Sequence, residues 1–131
     1  MPAQPETFQA SSLAVSLTAN DLRKSQAWYR DILGFTVDRE IEREGKLIAV
    51  ALKTGVVRIL IGQDNGAKGM DRVKGTGFSL MLTTAYSIDD FAHQIKARGG
   101  TLESEPADVR GARAFSVRDP DGFKLVISSE R

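Results

Sequence analysis

The residue types that carry most protein chemistry are scarce in this 131-residue chain. It has no cysteine and one histidine, His93, against 17 Asp and Glu and 18 Lys and Arg. Thiolates and imidazoles supply most zinc ligands, covalent nucleophiles and bases that work near neutral pH. Without them a metal would need an almost all-oxygen site. His93 lies in a segment where Ile88, Phe91, Ala92 and Ile95 recur at helical spacing. At roughly 100° per residue it falls about 200° from Phe91, on the solvated face. Two cations are candidates for holding a ligand. Arg113 alternates with Phe115 and Val117, and a guanidinium beside a phenyl ring can bind a carboxylate or stack on an aromatic ligand. An ordinary surface arginine in a strand is the other reading. Lys124 stands two residues before Val126, on the same strand face, and reads as a rim charge.

The composition sets bounds on what those residues serve. A net charge of +1, 41% hydrophobic and 27% charged residues describe one ordinary soluble domain with enough apolar surface for a core. Lys and Arg are interspersed with acids, as in DREIEREGK at 38–46. No basic face for phosphate neutralisation results, so no nucleic-acid partner is expected. No apolar run approaches the roughly 20 residues that span a bilayer, so no membrane partner is expected either. The first ten residues lack the basic start and apolar stretch of a signal peptide, and 1–11 reads as a leader. A cysteine-free chain fits a reducing compartment, and a cytoplasmic location is the expectation.

Leu13, Val15 and Leu17 alternate with Ala14, Ser16 and Thr18, the period of a strand with one apolar and one mixed face. Asn20 or Asp21 can cap a following helix to about Leu33, with Leu22, Ser25, Trp28 or Tyr29, and Ile32 on one side. Gly34 supplies its stop. Strands are expected at 35–42, 47–53 and 56–61, with Thr54 and Gly55 as a tight turn. A glycine-rich polar stretch at 63–75 reads as a linker. The pattern then repeats: strand 78–83, helix 87–98 opened by a Ser87/Asp90 capping box, and strands 101–105, 112–117 and 123–128. In the domain 12–131 this gives module one at 12–62, linker at 63–76 and module two at 77–131. A mixed second strand face implies sheets that curl around a cavity rather than a second helix.

Three segments carry a family likeness. NDLRKSQAWYRDILGF at 20–35 resembles the opening of the vicinal oxygen chelate superfamily, which contains glyoxalase, bleomycin-resistance proteins and extradiol dioxygenases. GARAFSVRDPDGFKL at 111–125 resembles its C-terminal motif, and ARGG at 97–100 sits where that family ends its second helix. The turn 119–122 also has a plain structural job, with Pro120 fixing one dihedral and Gly122 permitting a positive one. The resemblance implies an α+β fold of two paired βαβββ modules whose curved mixed sheets enclose a cavity, and a homodimer.

Metal-bearing relatives place His, Gln or Glu at four strand positions facing that cavity. The equivalents are Ala14, Ile59, Ser79 (or Phe78) and Val126, none a usual ligand. No Asp, Glu or His occurs anywhere in 12–18, 47–53, 56–61, 78–83, 112–117 or 123–128. The expectation is a protein without metal or other cofactor that binds a partly hydrophobic small molecule. Ser16, Ser79, Met81, Arg113 and Phe115 are the candidate contacts, with Val57, Ile59 and Ile61 on the cavity wall and Arg58 turned away. The alternative is a metal-independent lyase or isomerase-like enzyme using Tyr29, Arg113 or a loop acid for proton transfer, with 63–75 as a lid. No catalytic residue is assigned.

Overall fold

Apolar alternation makes the strands, and two helices cover the apolar faces. The computed structural model describes residues 7–69 and 72–130. In chain order the elements are β1 (Ala14–Ala19), α1 (Leu22–Ala27), a π-helical segment (Trp28–Leu33), β2 (Thr36–Arg43), β3 (Lys46–Thr54), β4 (Val57–Gln63), β5 (Ser79–Thr84), α2 (Ile88–Ala97), β6 (Ser104–Val109), β7 (Ala112–Arg118) and β8 (Lys124–Ser129). They form two four-stranded sheets of the same order, β1-β4-β3-β2 and β5-β8-β7-β6. In each the first strand runs parallel to the last and the other pairings are antiparallel. The fold is α+β, and the sheets do not close into a barrel.

One core joins both modules. Leu17, Val50, Leu52, Ile59 and Ile61 from the first sheet pack in the same cluster as Phe115, Val117, Leu125 and Ile127 from the second, with Leu22, Tyr29, Ile88 and Ile95 from the helical segments. The first helix differs from the expected continuous run to Leu33. Asp21 caps α1 by accepting from the Lys24 N–H, but the coil widens at Trp28. Gly34, at φ +86°, closes the wide turn, and the N–H groups of Gly34 and Phe35 both reach the Tyr29 carbonyl. Of the two aromatic candidates, Tyr29 goes fully into the core, with Trp28 and Phe35 edge-on to its ring at 4.9 and 5.5 Å. The strand expected from 101 begins at Ser104, because Gly100 is still hydrogen-bonded to Ile95 and packed on Ile32.

The π-helical turn aims the Tyr29 hydroxyl at the loop between β7 and β8. It donates to Asp119 Oδ2 at 2.8 Å, while Asp119 Oδ1 accepts from the N–H groups of Asp121 and Phe123, both at 2.9 Å. Asp121 in turn accepts from the Asn20 N–H and the Ser25 hydroxyl. Burial raises the Asp119 pKa, and the hydrogen bonds from Tyr29, Phe123 and Asp121 oppose that rise. Burial, then the Asp119 charge, drives the Tyr29 phenol far above its ordinary value. The turn 119–122 is therefore the acceptor half of a latch between the modules.

The connection from β4 to β5 is tied down at the same end. The buried Asp64 carboxylate accepts from the Gly66 N–H at 2.8 Å and from Arg72 at 2.6 Å, and pairs with Lys74 at 3.2 Å. Lys74 also donates to Asn20. Gly75 (φ +79°) packs so tightly on Phe123 that a Cβ there would sit 2.9 Å from its ring. The described residues of 63–75 are thereby tied to the end of β4, to Asn20 and to Phe123. The Gly66 N–H is the main cause holding the Asp64 pKa below the usual range, against burial, with Lys74 and Arg72 adding to it.

Two measurements follow from these contacts. Tyr29→Phe strands part of a buried carboxylate and is expected to cost about 1–3 kcal/mol in urea unfolding; a loss below about 0.5 kcal/mol would remove the latch from any stabilising role. A depressed carboxylate adds stability above its unfolded pKa, about 3.9 for aspartate, and that stability is lost as pH falls through the lower folded value. Asp64→Asn should therefore lower Tm near neutrality and flatten its decline below about pH 4. Parallel acid limbs for the two proteins would contradict this.

Candidate functional site

Each sheet has helices on one face only, so the opposite faces are open. The parallel register of β1 on β4 pairs Val15 with Ile59 and Leu17 with Ile61, and these residues turn to the core. The open face of the first sheet is then built from Ala14, Ser16 and Thr18 beside Arg58, Leu60 and Gly62. In the second sheet the same relation puts Ser79, Met81 and Thr83 beside Lys124, Val126 and Ser128.

This register corrects part of the expected wall. Ile61 is buried in the core away from the cleft, Val57 and Ile59 reach the cleft wall as expected, and Arg58, expected to point away, is on the open face and lines the cleft as well. In VRILIGQ, Val57, Ile59 and Ile61 share one face, while Leu60 falls on the other face with Arg58.

Two candidate contacts also lie elsewhere. Phe115 is 1% exposed, opposite Ile127 and edge-on to Phe91 of α2. Arg113 shares its face and donates bidentately to Asp89 in the first turn of α2 at 2.8 and 2.9 Å, and to Asp108 at 3.1 Å. The Arg113 hydrogen bonds hold the Asp89 pKa down, and Arg113 is kept charged by Asp89 first and Asp108 second. Its partners occupy the guanidinium that a ligand carboxylate would need. On β7 the open face belongs instead to Ala114 and Ser116, the latter hydrogen-bonded to Ser104 at 2.7 Å. Tyr29, the proton-transfer candidate, is 0% exposed and committed to Asp119. His93 is exposed on α2.

Ser79 and Met81 do come together with the first module. A cleft of about 550 Å³ runs between the sheets, walled by 11–13, Val15 and 56–59 on one side and 79–82 on the other. Its surface is mainly apolar, from Leu13, Val15, Val56, Val57, Leu80 and Met81, with serine hydroxyls at 11, 12 and 79. Met81 is 73% exposed. Ser16 is on the open face next to this cleft but does not line it. Leu13 and Val56, strongly exposed here, carry no signal in the sequence beyond their apolarity. Among the described residues, no three His, Cys, Asp or Glu side chains are grouped to hold a metal ion.

The face assignment makes a distinction that can be measured. Arg113→Ala should lower Tm, because α2 loses its tie to β7 and β6, while leaving affinity for any cleft ligand unchanged. A loss of affinity with unchanged Tm would put Arg113 in the site after all.

The comparisons with known proteins agree with this architecture. The model of the Glyoxalase/Bleomycin resistance protein/Dioxygenase superfamily matches residues 12–127. No curated protein sequence matches significantly. Among solved structures, TnmS3, an antibiotic binding protein from Streptomyces sp. CB03234, superposes with a TM-score of 0.76 at 16% identity, covering 96% of this chain and 100% of that one. TioX from Micromonospora sp. ML1 gives 0.75 at 18% identity over 93% and 100% of the two chains. A lactoylglutathione lyase from Agrobacterium tumefaciens gives 0.67 at 20% identity over 92% and 95%. At these identities the likeness shows the fold.

Proposed function

Because the chain belongs to the Glyoxalase/Bleomycin resistance protein/Dioxygenase superfamily, we propose that it is a metal-independent binding protein for a partly hydrophobic small molecule held between its two sheets. The observation that carries this reading is the lining of the inter-sheet cleft. Aliphatic side chains, a thioether, serine hydroxyls and the Arg58 guanidinium surround about 550 Å³, with no carboxylate or imidazole among the described residues that line it. Such a wall can desolvate and orient a flat apolar molecule, and it offers no group to move a proton. The antibiotic-binding relative TnmS3 supports the ligand class. The proposed contacts are Ser79 and Met81 in the cleft and Ser16 beside it.

A homodimer is part of the same proposal. The outer edges of β1 and β5 are unpaired in the chain, and AVSLTA and SLMLTT contain neither charge nor proline to protect them. Light scattering should return twice the chain mass. The absence of cysteine supports a cytoplasmic location.

The test is a thermal-shift screen of planar aromatic antibiotics on protein treated with chelator. At least one should stabilise the wild type, and Met81→Glu, at an exposed position, should weaken that compound about tenfold or more, equivalent to about 1.4 kcal/mol. Binding indifferent to Met81→Glu, turnover of a bound compound, or one tightly held metal per chain would each overturn the proposal.

A further inference from the structure

The two modules carry matching cations on their open faces. In the first sheet Lys53 on β3 is the register partner of Arg58 on β4. In the second, Arg118 on β7 is the register partner of Lys124 on β8. One member of each pair is neutralised: Lys53 by Asp38 at 3.2 Å and Arg118 by Glu103 at 3.0 Å. The other member, Arg58 or Lys124, has no carboxylate or hydrogen-bond acceptor among the described residues. The equivalence extends to the first strands, because Arg58 is paired with Ala14 and Lys124 with Ser79.

These positions bear on the cleft. Arg58 is the one charged side chain that lines it, and Ser79, which also lines it, is the neighbour of Lys124 across the β5–β8 ladder. An apolar cleft with an uncompensated guanidinium at its wall favours a ligand that brings the missing negative charge. A guanidinium fork matches a carboxylate in two parallel hydrogen bonds, and beside apolar walls the pair is less screened than on open surface.

We propose that the cleft selects amphipathic aromatic carboxylates, with Arg58 as the seat of the carboxylate and Lys124 as a second, weaker attraction. This rests on the cleft being the binding site and adds the charge of the ligand. Ser79 then serves as a neutral donor between the two cations, and Met81 and Leu80 receive the aromatic body.

A matched pair of probes separates the two ideas. Binding of 1-naphthoate and 1-naphthamide to the full chain is followed by ligand-observed NMR and competition. Naphthoate is expected to bind about tenfold more tightly than the amide, with the preference shrinking as salt is raised. Arg58→Gln should abolish the preference while leaving naphthamide affinity in place, and Lys124→Gln should reduce it partly. Lys46→Gln, an exposed cation elsewhere, should change neither. Equal affinity of acid and amide for the wild type, with both lost in Met81→Glu, would overturn the charge inference and keep the cleft. Acid preference surviving in the Arg58→Gln, Lys124→Gln double variant would also overturn it. Binding of both probes that ignores Met81→Glu would remove the cleft itself.

Discussion

The hydrogen bond from Tyr29 to Asp119 ties together two halves that have no shared sheet. A buried carboxylate is costly unless its oxygens are occupied, and here a phenol from the first module and two backbone N–H groups from the second occupy them. The arrangement asks three things of the chain at once. The helix must widen at Trp28 to aim the ring, Gly34 must close the widened turn, and the 119–122 loop must fold back on its own first residue. Asp121, Asn20, Ser25, Lys74 and Asp64 extend the same contact into a polar cluster at one end of the inter-module boundary. Latched there, the modules leave the cleft open between the sheets.

Polar residues in this protein divide by face. On the helix side they are spent: Arg113 on Asp89 and Asp108, Ser25 on Asp121, Tyr29 on Asp119. On the open side small side chains dominate, and Arg58 and Lys124 have no acidic partner among the described residues. A site meant for catalysis by acids and bases concentrates titratable groups with shifted pKa values in a cleft. Here burial raises both Tyr29 and Asp119, inside the latch, and Arg113 is held charged by Asp89 and Asp108 behind the second sheet. Among the described residues that line the cleft there is no carboxylate or imidazole.

Element types and order were legible because alternation and helical spacing are local signals, reinforced by Ser87, Gly34 and the 119–122 turn. The missing metal ligands were legible for the same reason, since a residue type absent from six strands is absent in every register. The candidate contacts were less so. Ser79 and Met81 stand at the cleft because β5 is an edge strand in the expected pleat phase. Arg113 and Phe115 stand behind the sheet, and the clue was present in their shared face with Val117, an apolar face that has to meet a helix.

Composition and periodicity, then, define an α+β chain of two similar halves with small residues on one face of its strands, and no Asp, Glu or His in six of the expected strand stretches. Three matters needed the folded molecule: the register of β4, the partner of each charged group, and the end at which the modules are joined. Register depends on which strand lies alongside, and a shift of one residue exchanges wall for core. Whether a cation is free depends on acids far away in sequence, as Asp89 is from Arg113. The hydrogen bond from Tyr29, on the π-helical turn, to Asp119 joins residues 90 apart in the chain, a contact between distant segments that no local pattern encodes.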